Sequence, residues 1–403
     1  MSFARRGLSL GGKIAAALLL GAGAQMLTGC TGFFVYPGST TTGTTGSSSS
    51  DFAYVSDSST AGSESINGYG VSAGTLVAAT GSPYSLGFVP QAMVVTPNDA
   101  YLYVANQLGG IYGYSITSGT GALNVINVNG STELANDDAA SIAVASNGNG
   151  GYWLLVLDNG TVAAAITVYS IQSNGTLTST SGGANVVSLN SQSSTFAPLS
   201  IKVAPGGEYV AVALGQGGAE VFSFNESTGQ VTAFAPAQGV NPNSTQAAVS
   251  AIGIDSNNYL YVAGTLGTSS AEVIESWFVS TTGSIAGAYT KQQPVGQTPE
   301  AIDVSLNGNY VYVANYNSSS ISAFSISSGV LTPLNSGTAY TAPNYVSALG
   351  HDNSGNYLVA LGYNTVSGTQ IYTINSGGTL TPGNSAGSGG TVGSPPAVIA
   401  MTH

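Results

Sequence analysis

A short alternating apolar run recurs seven times along this chain, and that recurrence constrains the fold more than any other feature. The run reads FAYVSD at Phe52, YLYVAN at Tyr101, YWLLVLDN at Tyr152, YVAVAL at Tyr209, YLYVAG at Tyr259, YVYVAN at Tyr310 and YLVALG at Tyr357. Aligned on Val55, Val104, Val156, Val212, Val262, Val313 and Ala360, the copies step by 49, 52, 56, 50, 51 and 47 residues. Alternation with period two marks a β-strand, and a repeat of about fifty residues is the spacing of a propeller blade.

Each run belongs to a larger unit, written most fully between Thr298 and Leu334. A short apolar strand and a turn precede it, as in EAIDVSLNG, LSIKVAPGG and SAIGIDSNN; Asn, Gly, Pro and Asp are the residues that accept tight hairpin dihedrals. A second alternating run follows, such as ISAFSI at Ile321, and then a Gly turn into a weaker strand, as in GVLTPL. Four antiparallel strands per unit, repeated seven times, predict an all-β, seven-bladed β-propeller. Nothing before Asp51 resembles an inner strand for the first unit, whereas PPAVIAMTH from Pro395 to His403 reads as an inner strand with no blade after it. Pairing the two closes the ring and removes the free sheet edge, so the propeller is expected over residues 52–403. No helix of consequence is expected after Leu27.

The charge pattern excludes some partners and suggests a location. Charged residues make up 5% of the chain against roughly 25% in an average globular protein. Three of the five basic residues, Arg5, Arg6 and Lys13, lie in the first thirteen positions, leaving Lys202 and Lys291 against 17 acidic residues in the remainder. Nucleic-acid binding is excluded, because phosphate contacts need Lys and Arg. The early basic residues precede IAAALLL from Ile14 to Leu20, too short a stretch to span a bilayer stably, and together they read as an export signal over residues 1–29. Residues 30–51 are rich in Gly, Ser and Thr, the composition of a flexible tether. A single Cys excludes an intrachain disulfide.

Leu27, Thr28, Gly29 and Cys30 form LTGC, which resembles the lipobox of bacterial lipoproteins. The resemblance implies that Cys30 is lipidated and anchors the chain to a membrane of the cell envelope, with Thr31 favouring the outer membrane. The run YVANYNSSSISAFSISSGVLTPL and its partial copy YVANQLGGIYGYSITSGTGAL resemble YVTN-type repeats and the lactonase-family propellers, which include a bacterial 6-phosphogluconolactonase group and fungal carboxymuconate cyclases. Enzymes of that family use Arg, His and Glu around the channel mouth on an anionic substrate. This chain departs there: beyond the leader it has no Arg, and its only histidines are His351 and His403. A phosphorylated lactone would lack cationic clamps, so no catalytic residue is carried over.

The candidate channel residues come from aligning the inner strands. Val94, Ala143, Lys202, Gly253, Asp303, Leu349 and Ala400 are expected at one equivalent position, where Lys202 and Asp303 could approach around Gly253. They would form either a structural ion pair or a polar binding point. His351 and Asp352 sit together at a strand end, with Asp255 expected at the place equivalent to His351 in the fifth unit and His403 near the end of the closing strand. Their scattered spacing reads as surface turns, with no metal site and no cofactor expected. Glu300 and Asp303, three residues apart in a strand, are expected on opposite faces. Tyr316, Asn317, Tyr363 and Asn364 are expected on loops, where they could stack on sugars. The resulting expectation is a membrane-tethered module binding a protein or glycan; the alternative is a divergent lactone hydrolase working at the channel mouth.

Overall fold

The computed structural model describes residues 51–57, 64–160, 164–190, 196–241, 247–266, 271–288, 292–388 and 397–403. The export signal, Cys30, the tether, Lys291 and Pro395 fall outside them. The side chain of Asn364 is also undescribed.

Seven antiparallel sheets are arranged in a ring. The inner strands of blades 1 to 7 are Ile399–Met401, Pro90–Val95, Ala139–Ser146, Ser200–Val203, Ala248–Ile254, Pro299–Val304 and Ala348–His351. Each inner strand lies beside the next, and the seventh returns to the first. Every blade has four strands in sequential order outward, except that blade 1 takes its inner strand from the C-terminus; five blades add a short fifth strand. A single 3-10 turn, Asn335–Gly337, is the only helix among the described residues.

The closing strand is held on both sides of its register. Ala53, Tyr54 and Val55 pair with Met401, Ala400 and Ile399. Phe52 N–H donates to Thr402 Oγ1 at 2.6 Å, and Thr402 N–H returns to the Phe52 carbonyl at 2.9 Å. Further along, Ser56 N–H donates to the Val398 carbonyl at 2.9 Å, and Val398 N–H to Ser56 Oγ at 2.9 Å. The sheet edge expected at the start of the chain is therefore occupied.

The second strand of each blade is buried on both faces, because its blade is sandwiched between two others. In blade 6 that strand is Tyr310–Asn315, and every residue from Val311 to Asn315 is buried. Its neighbour outward is Ser320–Ser327, and the fourth strand, Val330–Pro333, keeps only Leu331 buried. Apolar packing runs between blades: Tyr312, Ala314 and Ile321 of blade 6 pack with Leu358, Ala360 and Tyr372 of blade 7.

Two parts of the repeat that are far apart in sequence meet across these seams. Tyr54, Tyr103 and Tyr312 occupy one position of the second strand and are fully buried. Their hydroxyls donate to the carbonyls of Gly121, Gly175 and Gly378 in the outer turn of the following blade, at 2.8, 2.8 and 2.9 Å. A buried hydroxyl without such a partner would cost more than the bond itself contributes, about 1 kcal/mol. At Gly378, φ is +75° and a Cβ would stand 2.2 Å from the Tyr310 ring. The Gly is required by both its conformation and its contact.

Candidate active site in the channel

The inner strands bring three of the four sequence-predicted residues to one side of the ring. Lys202 pairs with Ala211 in blade 4, Gly253 with Tyr261 in blade 5, and Asp303 with Tyr312 in blade 6. The equivalent residue in blade 7 is Gly350, which pairs with Val359, and not Leu349, which pairs with Ala360. The blade 7 assignment is therefore corrected by one residue. Side chains at this position lean toward the next blade: a Cβ at Gly253 would meet Ile302 Cγ2 at 2.5 Å, and one at Gly350 would meet Met401 Cγ at 2.6 Å. Asp303 leans the same way and reaches His351 of blade 7.

Both Asp303 carboxylate oxygens lie 3.0 Å from His351 Nδ1. The side chains are 25% and 12% accessible for His351 and Asp303, so the pair is neither on the surface nor sealed in the core. Burial alone would pull the His351 imidazole down, but the charge and hydrogen bond of Asp303, helped by Asp352 and opposed by Lys202, leave it above its ordinary value. With Nδ1 engaged, Nε2 is the ring nitrogen left to work; it has no hydrogen-bond partner among the described residues and is not a sealed, unsatisfied atom.

Lys202 does not close an ion pair with Asp303. Among the described residues the ion pairs within 4.0 Å are His351 with Asp303 and His403 with Asp99. The gap expected above Gly253 is filled by Ile302. The two charges still feel each other: burial lowers the Lys202 pKa from its ordinary value, and Asp303 opposes that shift. Lys202 is exposed, and the protein around the inner strand of blade 4 lowers its ammonium pKa from the ordinary value. It is the only Lys or Arg among the described residues.

Asp255 and Asp352 hold hairpin turns. Asp255 is 2% exposed and accepts from Tyr261 Oη at 2.8 Å and from the N–H groups of Asn257 and Tyr259 at 2.9 and 2.8 Å. Asp352 accepts from Tyr357 N–H at 2.7 Å in the same way. Asp255 therefore corresponds to Asp352 and not to His351. His403 closes the ring against blade 2, its N–H 2.7 Å from Asp99 Oδ1 and its Nδ1 3.5 Å from the same oxygen.

Glu300 lies at the other mouth, and sequence reasoning missed its setting. The ladder between the inner and second strands of blade 6 slips between Pro299 and Ala301, which makes Glu300 the extra residue of a bulge. A bulge breaks the alternation that would have put Glu300 and Asp303 on opposite faces. Glu300 is exposed, yet burial pushes its carboxyl up to about 7. It is close enough to Tyr316 and Tyr363 to influence both. Tyr316 packs against Tyr345 and Tyr363 with ring centroids 5.1 and 5.7 Å apart. Of the residues expected on loops, Asn317 is exposed, Tyr316 is half-buried and Tyr363 is buried.

Comparison with known proteins adds to this geometry. A family model described as "Lactonase, 7-bladed beta-propeller" matches residues 216–348. The match runs through Gly253, Glu300 and Asp303 and ends three residues before His351. It overturns the expectation of a binding or interaction module and favours the lactone-hydrolase alternative. No curated protein matches the chain in sequence. Among solved structures, the periplasmic gluconolactonase PpgL of Pseudomonas aeruginosa is similar at 13% identity and TM-score 0.64, over 88% of this chain and 99% of that one. A Bacteroides uniformis protein provisionally assigned as a 6-phosphogluconolactonase is similar at 16% identity and TM-score 0.66, over 87% and 99%. A Lactobacillus plantarum protein is similar at 16% identity and TM-score 0.63, over 88% and 100%. At these identities the structural likeness is one of fold.

Proposed function

We propose that this chain is a lactone hydrolase of the lactonase-propeller type, acting on a neutral, unphosphorylated lactone in its central channel. The observation that carries the reading is the Asp303–His351 contact at 3.0 Å through Nδ1. An imidazole fixed at Nδ1 by a carboxylate presents Nε2 as a base, the arrangement by which a weak nucleophile is activated. The family match over residues 216–348 supports the same class of reaction.

In this mechanism His351 Nε2 takes a proton from water as the water oxygen bonds to the lactone carbonyl carbon. Charge builds on the carbonyl oxygen, and the Lys202 ammonium in the same lumen stabilises it. Collapse breaks the ring carbon–oxygen bond, and the leaving alkoxide takes its proton from the His351 imidazolium. The product is the open hydroxy acid, which ionises and releases one proton to solvent. Asp303 holds the tautomer and stabilises the transient imidazolium without entering the bond changes.

With two lysines and no arginine after Lys13, the chain is poorly supplied with the several donors that a phosphate dianion needs. The experiment is a pH-stat assay of the purified protein with an aldonolactone and its 6-phosphorylated counterpart. Proton release above the spontaneous rate with the neutral lactone, and little with the phosphorylated one, supports the reading; release with neither lactone rejects it.

Export and lipid anchoring at Cys30 belong to the same proposal, supported by the basic residues, the short apolar run and LTGC. Labelling with a radioactive fatty acid tests it: the label and the membrane association are lost together in Cys30→Ser, and a wild-type protein without label contradicts the anchor.

A further inference from the structure

The mechanism above leaves Glu300 without a task. Its carboxylate makes no hydrogen bond among the described residues, although it stands where the inner strand of blade 6 begins and water reaches it. The bulge that contains it falls between Pro299 and Ala301, and the backbone near it is strained. Thr298 has φ +56°, although it is β-branched and precedes a proline, and Tyr345 has φ +54°. Bulky residues take that conformation only where their surroundings impose it, and such strain gathers at ligand sites. Here the surroundings are fixed by hydrogen bonds. Tyr316 N–H donates to the Thr298 carbonyl at 2.8 Å, Asn317 Nδ2 donates to Thr298 Oγ1 at 2.6 Å, and Tyr345 N–H donates to Ser319 Oγ at 3.0 Å. The half-exposed rings of Tyr316 and Tyr345, 5.1 Å apart, are thereby held at the strand end where Pro299, next to Glu300, pairs with Asn315, next to Tyr316.

We propose that Glu300, Tyr316 and Tyr345 form a subsite for a neutral sugar residue at the channel mouth, so that the substrate carries a glycosyl group on the side of the lactone facing that mouth. This rests on the lactone-hydrolase reading for the part of the substrate that reacts. Once ionised, above about pH 7, the Glu300 carboxylate accepts from two neighbouring hydroxyls at once, and tyrosine rings cover the apolar C–H face of a pyranose while their hydroxyls reach its oxygens. Such a set selects a neutral polyol over an anion, which the acidic surface repels. Glu300 and Asp303 are three residues apart on one inner strand, about 10 Å at the rise of a β-strand. That separation is about the span of one sugar ring placed end-on between the mouth and the His351–Asp303 pair.

The test is calorimetric titration of the full chain with cellobiitol, a neutral disaccharide alditol with no lactone to hydrolyse, and with sorbitol for comparison. Cellobiitol is expected to bind saturably and sorbitol at least about tenfold more weakly, with cellobiitol affinity falling about tenfold or more in Glu300→Gln. Tyr316→Ala gives the same loss and Tyr316→Phe retains most of the affinity, which keeps the test readable should the Glu300 variant fail to fold. Absence of cellobiitol binding in a protein that hydrolyses simple lactones overturns the subsite and leaves the hydrolase intact. Cellobiitol binding lost in Glu300→Gln, in a protein that hydrolyses no lactone, supports the sugar site and rejects the hydrolase. Undiminished binding in both Glu300→Gln and Tyr316→Ala also overturns the subsite.

Discussion

Asp303 holds His351 across the seam between blades 6 and 7, with both carboxylate oxygens 3.0 Å from the same ring nitrogen. The contact joins two inner strands that are not hydrogen-bonded to each other, so its geometry depends on the ring being closed and the blades correctly stacked. An activity built on it is an activity of the whole propeller.

Asp303→Asn should lower kcat by about 10²-fold or more, because the amide keeps the shape but neither fixes the tautomer nor stabilises the imidazolium. The pH profile gives a sharper reading. Hydrolysis needs neutral His351 and charged Lys202, so the rate should rise with pH through the raised His351 pKa and fall above the lowered Lys202 pKa. Asp303 raises both values, and its neutralisation should move both limbs of the bell toward acid. Limbs that stay in place in Asp303→Asn would show that other groups titrate.

Lys202→Met keeps the length of the stem and removes the charge. The loss expected for an oxyanion partner is about 10²–10³ in kcat with a smaller change in KM. A purely structural Lys202 would instead lower the melting temperature and leave the kcat of the surviving folded protein unchanged.

Ring closure should be acid-favoured. The Asp51 carboxyl, at the start of the strand that receives the C-terminus, is pushed from an ordinary 3.8 up to about 6 by burial first, then by Asp352 and Asp99. A carboxyl whose folded value lies above its unfolded one binds its proton more tightly in the folded state. Its stabilisation is fully present below the unfolded value and is lost as pH rises through about 6. Melting temperature should therefore fall between pH 4 and pH 7, and Asp51→Asn should flatten that slope. An unchanged slope in Asp51→Asn would assign the pH dependence elsewhere.

The seam glycines can be tested by an adjacent pair. Gly378→Ala combines a left-handed backbone with a Cβ 2.2 Å from the Tyr310 ring and should cost about 2–4 kcal/mol in denaturant unfolding. A Cβ at Gly377 would have no atom within 4 Å, so Gly377→Ala should change stability by about 0.5 kcal/mol or less. Equal effects at the two positions would refute the proposed packing.

The blades were legible because each second strand is buried on both faces and its Tyr/Val run returns at nearly constant intervals. Closure was legible because a first unit without an inner strand and a last strand without a blade are complementary. The register of blade 7 is not legible to one residue: its inner strand, Ala-Leu-Gly-His, has too little alternation of large and small to pin it, whereas the D-x-x-x-x-Y spacing from Asp352 to Tyr357 matches Ser305 to Tyr310. The His351–Asp303 contact was hidden because the direction in which inner side chains lean is a property of the stacked ring. Glu300 was hidden because a bulge leaves no mark in a pattern read with period two.

The central claim is tested most directly by kcat/KM for a neutral aldonolactone in wild type and His351→Gln, each corrected for spontaneous hydrolysis. The account predicts saturable turnover in wild type and a loss of about 10²–10⁴-fold in the variant at unchanged melting temperature. Equal activity in the two proteins, or a wild type no faster than water, would contradict it.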